Sequence, residues 1–168
     1  MRPVKGTYPE FLESYIAKAK GNNLHEALAD STEQLMQTLT LIPDDKGDFA
    51  YAEGKWTIKQ LLIHISDAER IFAYRLLRFA RNDQQQPLAF EEDDYANNCH
   101  ADKRSLESVI EELIAVRNAT ASLIESLQPE DYKKPGNTAA GKTTVNAVGF
   151  AICGHCNHHI SVLRERYL

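Results

Sequence analysis

Apolar residues recur along this chain at the three- and four-residue spacing of an α-helix, and no stretch shows convincing strand alternation. Four long stretches carry the helical pattern. The first covers residues 24–41, with Leu28, Leu35, Leu39 and Ile42 on one side; Pro43 ends it, because proline cannot continue the hydrogen-bond ladder. The second follows Thr57, a residue that can cap a helix, and runs through IKQLLIHISDAERIFAYRLLRFA to about Arg81. It is apolar around most of its circumference, as a central, deeply packed helix must be. The third covers about residues 103–127, ahead of Pro129, and the fourth about residues 143–167. A shorter lead over residues 10–20 can add another helix.

The connections set the topology. Residues 82–102 form a long link that carries the acidic run FEEDDYA, and long links tend to be functional or to form crossovers. A helix of about 25 residues is roughly 37 Å long, while about 20 extended residues reach roughly 66 Å. The link can therefore travel the whole length of a bundle, and helices two and three can run parallel. FEEDDYA either covers the mouth of a site or is a solvated loop. Residues 128–142, with PEDYKKPGNTAAGK, read as turn chemistry. The pattern predicts an all-α four-helix bundle with a long crossover between helices two and three, in a single domain over residues 1–168. Beyond a short glutamine run at 84–86, no repeat or low-complexity segment stands out.

Composition narrows the function classes. The 168 residues are 43% hydrophobic and 26% charged, with net charge −5, an ordinary globular profile. No basic footprint points to nucleic acid. No window approaches the roughly 18 apolar residues of a membrane span. Cys99, Cys153 and Cys156 are odd in number, and residues 1–10 lack the apolar run of a secretion signal, so a reducing cytoplasm is the expected setting.

The densest chemistry is Gly154-His155-Cys156-Asn157-His158-His159 in the fourth helix. Residues four apart differ by about 40° and project to one side, which makes His155 and His159 a candidate clamp for a metal. The stripe Val145, Val148, Ile152, Cys156, Leu163 marks the inward face: His159 falls inside it, His155 near its border, and His158 farther round. A lone inward histidine more often satisfies core hydrogen bonds; two at this spacing bring that reading and the metal reading level. A third ligand must come from another helix. His64 is the other histidine inside a strongly apolar helix, at the border of the stripe Ile58, Leu61, Ile65, Phe72, Leu76. Three imidazoles with an open fourth position are the pattern of a catalytic metal site. His25, at a helix start, and His100, in the link, read as solvated.

These stretches, with Gly54-Lys55-Trp56-Thr57-Ile58, His64-Ile65-x-Asp67-x-Glu69-Arg70-Ile71-Phe72 and Leu163-Arg164-Glu165-Arg166-Tyr167-Leu168, resemble the DinB/YfiT-like family of metal-dependent enzymes. The resemblance covers essentially the whole chain. It implies a four-helix bundle with a long crossover after helix two, and a divalent metal, zinc or nickel foremost, on His64, His155 and His159. It also implies a homodimer and a small-molecule substrate. The leading activity is transfer of a low-molecular-weight thiol, as in family members that use bacillithiol or mycothiol. Metal-dependent hydrolysis is the alternative, and a non-catalytic helical interaction module the reading of a different kind. One departure matters: similar sequences often carry glutamate where this chain has Cys156, giving an HExxH-like string. Without that general base, peptide hydrolysis of the zincin type is disfavoured. Cys156 itself reads as a core thiol more readily than as a ligand. Asp67 can either orient His64 or pair with Arg70. Glu69 points inward but about 140° away from His64, and needs an arginine or tyrosine partner. Arg164 and Arg166 suit the last turn of a helix by charge.

Overall fold

Helices start where a side chain can satisfy the free amides of the first turn, and the long helices here all start that way. The computed structural model describes residues 1–83 and 85–168; Gln84, the first of the glutamine run, lies outside the described residues. A one-turn helix, α1 (Glu13–Ile16), leads the chain. Helix α2 (Leu24–Leu39) is capped by Asn23, whose side chain accepts from the Glu26 amide. Helix α3 (Ile58–Ala80) opens on a reciprocal capping box between Thr57 and Gln60. A short α4 (Glu92–Asn98) lies inside the crossover. Ser105 caps α5 (Leu106–Glu125). Strands β1 (Pro135–Thr138) and β2 (Gly141–Thr144) form an antiparallel hairpin, and Thr144 caps α6 (Val145–Arg166).

The four long helices form the bundle, and side-chain pairs fix their directions. Lys59 donates to the Arg104 carbonyl just ahead of α5, and Glu69 farther along α3 meets Arg117 farther along α5, so these two helices run parallel. The Tyr167 hydroxyl donates to the Trp56 carbonyl while His64 meets His155 and His159, so α3 and α6 run antiparallel. Ser31 donates to the Cys153 carbonyl and Arg164 to Gln34, so α2 and α6 run parallel. Parallel α3 and α5 require the chain to return along the bundle between them, which is the crossover expected from the length of the link.

The differences from the sequence expectation are local. The acidic run coils into α4 rather than staying a loop, and the segment read as turn chemistry includes a hairpin. Gly136 of that hairpin lies against the Phe79 ring: a Cβ there would sit 2.2 Å from the ring. Helix α5 begins three residues later than expected, because residues Ala101–Lys103 form a separate 3-10 turn and Ser105 supplies the cap. Lys59, buried, ties this region together by pairing with Asp48 at 2.8 Å.

The apolar core divides into two blocks. One gathers α1, the start of α2, the ends of α3 and α5 and the start of α6; the other gathers the end of α2, the starts of α3 and α5 and the end of α6. Between them lie the buried polar residues Ser31, Glu69, Arg117, Thr120 and His155. That polar layer is where chemistry can be placed. No described helix is long and apolar enough to cross a membrane.

Candidate metal centre

His64 on α3 and His155 and His159 on α6 bring their Nε2 atoms together in a triangle with 3.1 Å on each side. His64 and His155 are 7% and 5% exposed, so water does not separate them. Hydrogen bonding alone does not account for this arrangement. Each ring nitrogen of a neutral imidazole either carries a proton and donates or bears a lone pair and accepts, so among three mutually facing nitrogens at least two are alike and at least one contact is left without a hydrogen bond. Three converging imidazole nitrogens are a donor set that could hold a metal ion. The point equidistant from all three nitrogens in their plane is about 1.8 Å from each, inside the roughly 2.0–2.1 Å of a zinc–imidazole bond. His64, His155 and His159 would therefore be close enough together to hold one divalent ion in common. The donor set fits a divalent transition metal.

Local sequence explains the placement. His155 and His159 are one turn apart on α6, and antiparallel α3 brings His64 across from them. Gly154 lets the lead segment come close: a Cβ there would be 1.7 Å from the Tyr15 carbonyl oxygen. This contact seats the Tyr15 ring edge-on to His155, 5.3 Å between centres. Trp56 covers His64 at 4.7 Å, and Phe72 meets His155 at 5.8 Å. Burial among these rings is the main reason that the imidazoles lose their protons easily. His64 is pushed down to about 4 and His155 to about 3, the latter also by the neighbouring His64, His158 and Arg117. His159 is held still further below the ordinary histidine value by burial and then by the other histidines. All three are therefore neutral near pH 7, with lone pairs to offer.

The triangle opens into a cavity of about 380 Å³, lined by Tyr15, Trp56, Phe72, Phe90 and other apolar groups together with Arg75 and Glu92. Phe90 and Glu92 come from the crossover, so the acidic run does reach the mouth, with Glu92 exposed.

The other candidates sort cleanly. His158 lies outside the triangle, half-buried, with its ring 5.9 Å from Tyr15. His25 is 2.9 Å from the Tyr132 hydroxyl, and His100 is exposed in a left-handed backbone position. Asp67 pairs with Arg70 at 3.3 Å rather than orienting His64. Glu69 meets Arg117 at 2.7 Å, the arginine partner that its inward phase called for. Cys156 is in the core, its thiol pushed up by burial. Arg164 reaches Gln34 on α2 as well as occupying the last turn. Sequence reasoning gave no role to Tyr15 or Arg75, and named Gly154 in the motif without its packing role. Arg75 carried one signal: it stands eleven residues after His64, close to the same helical phase.

The DinB superfamily model matches residues 27–163. Among solved structures, YfiT from Bacillus subtilis, described as a probable metal-dependent hydrolase with an unusual four-helix bundle topology, superposes with TM-score 0.73 at 16% identity, over 98% of this chain and 90% of that one. A mycothiol-dependent maleylpyruvate isomerase superposes with TM-score 0.65 at 10% identity, over 92% of this chain but 60% of its own. An uncharacterised protein from Escherichia coli UTI89 gives 0.56 at 16%, over 84% and 92%. No curated protein sequence matches the chain. At these identities, the structural likeness speaks to the fold: a four-helix bundle of the YfiT kind.

Proposed function

This chain belongs to the DinB superfamily, and on that premise we propose that it is a divalent-metal-dependent enzyme whose ion is held by His64, His155 and His159. The observation that carries the reading is the triangle of neutral Nε2 atoms, from the buried His64 and His155 and the half-buried His159, opening into a largely apolar cavity. Zinc or nickel suits three imidazoles. When bound, such an ion supplies a Lewis acid that lowers the pKa of a thiol or water coordinated to it.

Within this reading, transfer of a low-molecular-weight thiol is the foremost reaction. Its support is the lack of a general base near the triangle. Glu92 is the one carboxylate lining the cavity among the described residues, and it is exposed at the start of α4. Cys156 stands where a helical glutamate would help to deprotonate water. A free thiol ionises near 8.5, roughly, against about 15.7 for water, so it needs far less assistance. Tyr15, Trp56 and Phe72 give the reacting end an apolar lining. Metal-dependent hydrolysis is the second reading, favoured by the likeness to YfiT. The protein is proposed to act in the cytoplasm, as a single domain and a homodimer.

The test begins with protein purified without a nickel resin. One equivalent of metal per chain is expected, falling at least about tenfold in affinity in His64→Ala, His155→Ala and His159→Ala. His158→Ala, His25→Ala and His100→Ala should retain it. Undiminished metal in His64→Ala would sink the site. Turnover of an electrophile only when bacillithiol, mycothiol or glutathione is added supports thiol transfer; turnover in water alone supports hydrolysis.

A further inference from the structure

Arg75 lines the same cavity as the histidines, yet the fold gives its charge no counter-ion. Its Nη2 donates to the Leu88 carbonyl at 3.0 Å, and its guanidinium carbon lies 5.7 Å from the Phe72 ring centre. Nε is buried without a partner, and among the described residues no carboxylate lies within ion-pair distance. Glu92 lines the cavity too, but the two do not pair. Burial pulls the Arg75 pKa down, and no nearby charge opposes it. The guanidinium is thus half-buried, with its Nε shut away from any acceptor and its outer nitrogens at the cavity. The other arginines nearby on α3 do have carboxylates: Arg70 with Asp67 and Glu112, Arg78 with Asp83.

Position gives this cation a purpose. Arg75 leans back towards the start of α3, over Phe72, as helical side chains do. Phe72 in turn touches His155 at 5.8 Å. Two ring contacts thus separate the guanidinium from the histidine triangle, and the space between is walled by apolar groups. We propose that the cavity takes a small organic acid with an apolar body, its carboxylate anchored by Arg75 and its other end directed at the histidines. This deepens the reading of the cavity as a substrate site, but the anchor itself does not need the metal. The planar guanidinium suits a carboxylate, and the remaining Nη1 edge is free to donate. The cavity volume of about 380 Å³ suits a compact acid rather than a peptide.

Calorimetric titration with phenylbutyrate and with its neutral amide, phenylbutyramide, tests this on metal-loaded and metal-stripped protein alike. The acid should bind both forms, and should bind the stripped form about 10- to 100-fold tighter than the amide does. Arg75→Gln should bring the acid down to the level of the amide, and Arg75→Lys should recover part of the difference. Thermal melts of both variants establish that they fold. If Arg75→Gln fails to fold, the acid-against-amide comparison on stripped wild type still decides. Equal binding of acid and amide, or no binding of the acid, overturns the proposal. So does acid binding that disappears on metal removal and ignores Arg75→Gln, because the ion would then be the anchor. Absence of metal affinity would sink the metal reading alone and leave the stripped-protein comparison intact.

Discussion

Glu69 and Arg117 are each 2% exposed and meet at 2.7 Å in the layer between the two apolar blocks. Burial raises the Glu69 carboxyl; it also works against the Arg117 charge, but neighbouring groups, Glu69 among them, outweigh it and hold the guanidinium above the ordinary arginine value. Glu69→Ala should therefore destabilise the protein by about 3–5 kcal/mol, because it strands a buried guanidinium. Replacing both, as Glu69→Leu with Arg117→Met, should cost much less than either single change, as chemical denaturation of all three variants would reveal. If the double variant instead lost the sum of the two single losses, the pair would not be coupled. The inward phase of Glu69 and its need for a cation were readable in the sequence; that the cation is Arg117 was not, because the two lie on different helices. His158 makes the same point in reverse. It is adjacent to His159, yet one residue of helical rotation, about 100°, takes it out of the triangle.

At the scale of elements, short segments define the site more than their length suggests. Helix α1 rests on Gly154, and its Tyr15 forms one wall beside His155. Gly154→Val would drive a side chain into the Tyr15 backbone. The expected result is a loss of about 1–3 kcal/mol and faster proteolysis of the first 20 or so residues, with the helical circular dichroism of the bundle kept. Unchanged proteolysis would mean that α1 is not held by this contact. The hairpin makes a similar contact at its own end, where Gly136 lies on Phe79; Gly136→Val should lower the melting temperature by several degrees, from loss of this packing. Neither contact was legible beforehand. A glycine in a helix reads as a weak point, and PGNTAAGK reads as turns, until the element packed against it is known.

At the scale of the molecule, the bundle carries its own stability. Two apolar blocks, rich in fully buried leucine, isoleucine and phenylalanine, are in place without the histidine triangle. A metal on the triangle would bind the folded state selectively and add a few kcal/mol well above its dissociation constant. Chelator-treated protein should thus keep its helical signal at room temperature and melt several degrees lower. Collapse of the signal on chelation would make the site structural and weaken the enzyme reading.

The helix ladder and the polarity of each face are local, periodic properties, and the sequence alone determined them: four long helices, the cap at Thr57, and phases that put His159 on the inward face and His64 and His155 at its border. The crossover, too, followed from chain length against helix length. Tertiary structure alone decided what meets across helices. It set α3 antiparallel to α6, so that imidazoles 91 and 95 positions apart converge at 3.1 Å. It folded part of the crossover over the cavity, and it left Arg75 facing that cavity without a carboxylate. Such contacts depend on the packing of whole faces, where a shift of one helical turn exchanges every partner, and no periodicity within one segment records that choice.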